Sequence, residues 1–224
     1  MTSIYERALG TDFQKLHPEL QQKFALHSAQ NKAAISRGVM TEIAGGSALV
    51  KPFLKLGEKR KLTFTERGEN IPFTLENYAY QDAFGRETVA WIRKFQFQEA
   101  VRHFDATMIY SNERGSIVDY LGNIQELAAD IWLTVTENGG IHMQSSSLRF
   151  IKGKFALPIP DLVAGLAEVT EWYDDEKECF FIEVHVKNPL FGTIFSYSGT
   201  FEIEYVDLEE IPSGVKPMRE TRIE

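Results

Sequence analysis

With 224 residues the chain is long for one minimal domain and short for two full ones, so a single large domain with an appendage is expected. Its 16 Phe, 8 Tyr and 3 Trp supply large apolar side chains suited to sheets, and with charged residues at an ordinary 25% they exclude extended disorder. The balance of 24 basic to 32 acidic residues, net −8, excludes nucleic acid as a general partner and repels anionic lipid unless a local basic patch overrides the total.

The first ten residues carry Glu6 and Arg7 where a secretory signal needs an apolar run. Nowhere do the roughly 18 apolar residues of a membrane span follow one another, so a cytoplasmic protein without a span is expected. Ser3 with Glu6, and Thr11 with Gln14, have capping-box spacing, which predicts short helices starting near both, the first closed by Gly10. Phe13, Leu16, Leu20, Phe24 and Leu26 recur at near-helical spacing, and Pro18 is tolerated only near a helix start. These helices occupy residues 1–30 and should pack on one edge or end of a sheet. Residues 38–43 read as a strand, Gly45 and Gly46 as a break, and residues 47–56 as a short apolar helix interrupted by Pro52. The one basic cluster, Lys51, Lys55, Lys59, Arg60 and Lys61, is interrupted by Glu58 and lacks interleaved aromatics, so it reads as a solvated loop.

From Lys61 the period changes to two. Leu62 and Phe64 alternate with polar neighbours, residues 67–70 have turn composition, and Ile71, Phe73, Leu75, Asn77 and Ala79 form a second alternating face, which predicts a hairpin. Residues 87–110 are the centre of the pattern. Glu87, Val89, Trp91, Arg93, Phe95 and Phe97 share one side of a strand, and after a short connection Arg102, Phe104, Ala106, Met108 and Tyr110 repeat the alternation. Arg93, flanked at i−2 and i+2 by Trp91 and Phe95, must be paired, stacked or reaching water, while Lys94 points the other way. Further strands are expected at residues 117–121, 127–135, 141–151, 167–173, 179–186 and 193–205. Pro158 and Pro160 place residues 157–160 in a loop or edge, followed by a short helix over 161–166. Beyond Asp207 the chain is charged and broken by Pro212, Gly214 and Pro217. The boundaries are therefore one β-rich domain over 1–206 and a loose C-terminal tail over 207–224.

Leu9-Gly10, Leu16-His17-Pro18, Gly38, Trp91-Ile92-Arg93-Lys94-Phe95, Asp119-Tyr120-Leu121-Gly122, Leu157-Pro158, Asn188-Pro189-Leu190-Phe191-Gly192 and Tyr197-Ser198-Gly199 together resemble an uncharacterised bacterial family. Its members stand alone in bacilli and elsewhere lie behind saccharopine-dehydrogenase-like or short-chain-dehydrogenase-like NAD(P)-binding domains. The resemblance implies a self-contained domain and a dehydrogenase as one candidate partner; it implies no catalytic residue. This chain has no glycine-rich phosphate motif between a strand and a helix, so no cofactor is expected.

Catalytic patterns are sparse. The histidines at 17, 27, 103, 142 and 185 do not pair on one face, which argues against a metal site, and Cys179 in a strand-like run reads as a packing residue. Ser198 lacks the spacing of a nucleophile elbow, and the acidic run at 174–178 reads as a hairpin tip. The expected fold is α+β and mostly β: a curved antiparallel sheet or partly open β-barrel of roughly eight to ten strands, capped by the N-terminal helices. Its expected ligand-binding residues are Trp91, Arg93, Phe95, Tyr110, Asp119, Tyr120 and Tyr197, converging inside the sheet on a hydrophobic or amphipathic small molecule. The alternatives are an isomerase- or cyclase-like enzyme, with Arg93 holding an anion and Asp119 or Asp105 as base, and an interaction partner for a dehydrogenase.

Overall fold

The computed structural model of the chain describes residues 1–46, 50–162 and 164–224. The Ser3 hydroxyl accepts from the Glu6 N–H and the Glu6 carboxylate accepts from the Ser3 N–H, so the capping box starts α1 (Ile4–Leu9), and Gly10 ends it. The second expected helix does not begin at Thr11. Residues Gly10–Lys15 form a 3-10 turn, and α2 (Pro18–Phe24) starts at Pro18, where the missing N–H costs nothing. Both helices bury Ile4, Tyr5, Leu20 and Phe24 in one end of a barrel.

The strands are β1 (Lys32–Ala44), β2 (Gly68–Gln81), β3 (Glu87–Gln96), β4 (Val101–His103), β5 (Ala106–Ser111), β6 (Ser116–Leu121), β7 (Leu127–Val135), β8 (Ile141–Lys152), β9 (Phe155–Pro158), β10 (Leu166–Asp174), β11 (Cys179–Asn188) and β12 (Gly192–Asp207). Ten of them close into an antiparallel barrel, because β8 pairs with β7 on one side and with β10 on the other. The sheet is therefore fully closed, which removes the open edges of the ten-strand ring. The β8–β10 seam is short, running from Gln144 opposite Glu168 to Ile141 opposite Glu171. Past a bulge at Ser147, β8 leaves the seam and pairs with β9, forming a hairpin that stands off the ring. Helix α3 (Lys51–Glu58) lies between β1 and β2, with Pro52 in its first turn rather than interrupting it. The expected helix over 47–56 overlaps it, although Ser47, Ala48 and Leu49 lie outside the described residues. No described helix is long and apolar enough to cross a membrane.

Three local expectations are corrected. Residues 61–67 form no strand, so there is no hairpin at Leu62; Phe64 instead drops into the interior, 4.9 Å from both Phe95 and Phe195 between ring centroids. An isolated aromatic can gain more by filling a core than by pairing. Residues 161, 162 and 164–166 are not helical, since two prolines and Gly165 leave too few residues to nucleate one. The stretch 102–110 is two strands, broken where Asp105 bonds the Arg93 N–H.

The segment after Asp207 has no helix or strand but is not loose. Leu208, Ile211 and Val215 pack on Ala33, Tyr78, Tyr80 and Ile92 outside the barrel, and Ile223 packs on Tyr120 and Val118. Arg86 donates to the Thr221 carbonyl at 2.6 Å. This cover explains why β3 is buried on both faces, where a strand at the surface would alternate.

Candidate functional site

Parity decides what enters the barrel. Trp91, Arg93 and Phe95 share the inner face of β3, whereas Lys94 on the outer face is ion-paired to Glu76 across β2. On the β1–β2–β12 side the interior is solid: Phe64, Phe73, Phe95, Phe195 and Tyr197 pack in tilted and edge-to-face pairs, with Phe95 and Tyr197 5.2 Å apart between ring centroids. On the other side, beneath α3 and inside β5–β8 and β10–β12, lies a cavity of about 770 Å³. Its walls are Met108, Leu121, Ala129, Ile131, Met143, Val169, Val184 and Val186, with Leu54 and Phe195 towards the mouth. Behind Trp91 and Met108 stands the N-terminal plug. The Trp91 Nε1–H donates to the Tyr5 hydroxyl at 2.8 Å, and that hydroxyl points at Met108 Sδ at 3.6 Å. Burial pushes the Tyr5 pKa far above the ordinary phenol value.

Four charged side chains line this apolar space: Arg60 and Glu126 pair with each other, and Arg93 and Asp119 are buried within it. Arg93, 4% exposed, lies over Phe104 at 4.1 Å and near Trp91 at 5.4 Å from the ring centroids. Its Nε has no hydrogen-bond partner, and among the described residues no carboxylate forms an ion pair with it. Asp119 on β6 also lines the cavity, and its Oδ1 is unpartnered. Burial raises the Asp119 pKa from 3.8 to about 7, against the opposing pull of the Arg93 charge. Near neutral pH the cavity thus holds a cation with no carboxylate in an ion pair with it among the described residues, and a carboxyl poised between its two forms. An anion entering beside Arg93 would find one charge to pair with and a protonated acid able to donate to it.

Of the seven residues expected at the site, Trp91, Arg93 and Asp119 line the cavity. Phe95 and Tyr197 are inside the barrel but in the solid aromatic half, where the Tyr197 hydroxyl has no hydrogen-bond partner. Burial raises the Tyr197 pKa and Arg93 opposes the rise. Tyr110 sits at the helical end with the Arg7 guanidinium 4.5 Å above its ring, away from the cavity. Tyr120 is a correction: it faces outward, donating to the Ile223 carbonyl at 2.8 Å. Neighbours in one strand point to opposite faces, so Asp119 and Tyr120 cannot share a pocket. Asp105, the alternative base, is equally engaged. Lys61 Nζ lies 3.1 Å from its Oδ2, and its Oδ1 meets the Arg93 N–H at 3.2 Å and His103 Nδ1 at 3.3 Å.

A second buried pair, absent from the sequence-based set, lies behind Trp91. Lys23 of α2 inserts its Nζ 2.6 Å from Glu171 Oε1, and both are buried. The ammonium also sits 4.7 Å from the Phe201 ring centroid and 5.3 Å from that of Trp91. Burial drives the Lys23 pKa down and that of Glu171 up, and their mutual attraction opposes both. The signal was in the sequence: Glu171 is flanked at i−2 and i+2 by Val169 and Tyr173, the same inner-face arrangement that singled out Arg93.

Comparison with known proteins assigns the chain a family without assigning a reaction. Residues 16–201, from just before α2 into β12, match the family described as "Domain of unknown function (DUF4166)". The chain is 36% identical over 204 residues to the protein described as "Uncharacterized protein YndH" of Bacillus subtilis (strain 168), a similarity covering 91% of this chain and 98% of that one. With a match from α2 to within the last barrel strand and a relative aligned almost end to end, the chain belongs to the DUF4166 family of bacterial proteins.

Proposed function

We propose that the protein binds one hydrophobic or amphipathic small molecule inside the barrel, with an acidic head group at Arg93 and an apolar body along β6–β8 and β10–β11. The observation that carries this reading is an unpaired Arg93 in an apolar cavity of about 770 Å³, a volume typical of small-molecule sites. A guanidinium retained without a carboxylate costs stability, and a bound anion would offset that cost. Burial of the apolar body would supply most of the affinity, at about 25 cal/mol per Å² removed from water.

A second reading rests on Asp119. A carboxyl titrating near 7 in a cavity has the pKa range of a general base, so proton transfer on a bound acid, as in an isomerase or cyclase, is the enzymatic form of the same site. Native mass spectrometry of protein purified from its host tests both. A retained acidic molecule, released on denaturation and absent from Arg93→Met, supports binding; an empty cavity that takes up no long-chain carboxylic acid added in solution overturns it. Conversion of the bound acid with a pH profile lost in Asp119→Asn would favour the enzyme, and a co-purifying dehydrogenase would favour the partner reading.

A further inference from the structure

The cavity opens at the end of the barrel opposite the N-terminal plug, and that end differs from the rest of the surface. Leu56 on α3 and Phe191 in the β11–β12 turn border the mouth and are exposed. Around them stand Leu190, Leu162 and, on the β8–β9 hairpin, Phe155 and Leu157, from 55% to 71% exposed. Leu157 pairs with Phe150, itself at the cavity mouth, and the Asn188 amide donates to the Leu162 carbonyl, which ties these projections to one rim. Two sectors of the rim, α3 and the β8–β9 turn, are basic, while Glu42 and Glu69 at the ends of β1 and β2 are exposed acids. Lys51, Lys55 and Lys59 on and just after α3, and Lys152 and Lys154 in the β8–β9 turn, are exposed and form no ion pair among the described residues. Arg60 at the mouth is offset by Glu126, and Asp161 is the exposed acid beside Leu162.

In a chain of net −8 this concentration of lysine beside separate apolar tips has a specific physical meaning. A protein partner would favour a contiguous apolar centre depleted of lysine. An anionic lipid surface rewards the opposite pattern, with side chains inserting singly between head groups and mobile ammonium groups pairing with phosphates. We propose that the mouth of the barrel docks on anionic phospholipid membrane, the α3 lysines and the β8–β9 turn lying against head groups while Leu190, Leu162, Phe155 and Leu157 enter the acyl boundary. Docked in this way, the cavity opens onto the bilayer, where apolar molecules are stored. The lysines and apolar tips of the rim are present whatever the cavity holds.

Co-flotation of the purified full chain with phosphatidylcholine vesicles, with and without phosphatidylglycerol, tests it. Binding is expected only to the anionic vesicles, falling as salt rises, with each lysine worth roughly a fivefold change in partition. Lys55→Glu with Lys59→Glu, and separately Leu190→Ser with Phe155→Ser, should each lower binding more than tenfold while melting as the wild type does; these side chains are exposed and outside the cavity lining. Arg93→Met, deep in the barrel, should bind vesicles unchanged, so failure of the ligand reading and failure of the docking reading give different results. Absence of wild-type binding to anionic vesicles, or retention of binding by both surface pairs, overturns the proposal. So does sedimentation showing a dimer that Leu190→Ser with Phe155→Ser dissociates, since the rim would then be a contact between copies.

Discussion

Arg93 and Asp119 share a cavity without forming an ion pair, and each has a consequence that can be measured. Replacing Arg93 by Met strands no carboxylate. At pH 6 Asp119, with its pKa raised to about 7, is mostly neutral, so the loss is mainly contact with Phe104 and Trp91, and Arg93→Met should cost under about 2 kcal/mol in urea unfolding, less than the roughly 3–5 kcal/mol of breaking a buried pair. The same substitution removes the charge that holds Asp119 down, so the Asp119 titration, followed by NMR, should move above about 7. Asp119 binds its proton more tightly in the folded than in the unfolded chain. Its contribution to stability is therefore whole in acid, declines as pH rises from about 4 to about 7, and is lost above that. The full effect is at most about 4 kcal/mol, reduced by whatever water enters the cavity. Asp119→Asn should accordingly melt higher than the wild type at pH 8 and within about 1 kcal/mol of it at pH 4.5. A wild-type chain that outlasts Asp119→Asn at pH 8 would mean that the carboxylate is solvated or paired when charged.

At the scale of elements, the sharpest constraint lies between β1 and β12. A Cβ at Gly38 would overlap the Thr200 carbonyl, and one at Gly199 would overlap the Val39 carbonyl, because the two strands cross closely at a bulge between Met40 and Glu42. Gly38→Ala should destabilise the fold by about 2 kcal/mol or more, since the obstacle is backbone and cannot rotate away. A thermal shift within error of wild type would show that the ladder opens without cost. The helices at the other end are held by a different device. Lys23 carries its charge from α2 to Glu171 on β10 inside the barrel, so Lys23→Met alone should cost about 3–5 kcal/mol by leaving a buried carboxylate unpaired. The double variant Lys23→Met with Glu171→Leu should recover most of that loss in a double-mutant cycle, because the pair owes much of its apparent strength to the burial of both charges.

For the molecule as a whole, closure separates two ends with different chemistry. One end is filled by Tyr5, Leu20 and Phe24 and carries the Lys23–Glu171 pair, so a ligand cannot pass there without displacing core side chains. The other opens between α3, the β8–β9 hairpin and the β11–β12 turn. The seam at β8–β10 is short, four residue pairs long like the β3–β5 ladder, with the Ser145 hydroxyl accepting from the Ala167 N–H at 2.6 Å where the ladder stops. Hydrogen exchange should therefore be fastest, among the barrel strands, in residues 145–148 and 165–167, and slowest in β2 and β3, which the C-terminal segment covers from outside. Uniform protection around the ring would contradict a weak point where the seam ends.

Alternation alone determined the class of fold, most strand positions, and that Trp91 and Arg93 share a face opposite to Lys94, because side-chain direction along a strand follows directly from residue parity. It also contained what the site set left out: the same parity puts Glu171 inside, and adjacency puts Tyr120 and Asp119 on opposite faces. Long-range geometry decided the rest. That the ring closes depends on whether β8 and β10 meet, residues far apart in sequence whose pairing no local pattern encodes. Whether an inward residue meets open space or a packed neighbour depends on what fills the barrel. Phe64, from a segment that reads as a strand, drops in beside Phe95 and Phe195 and makes that half solid, while small and branched residues on β7, β10 and β11 leave the other half open. Residues 207–224 read as a tail because order in an irregular segment comes from the surface it lands on, here the apolar outer face of β3 and its neighbours.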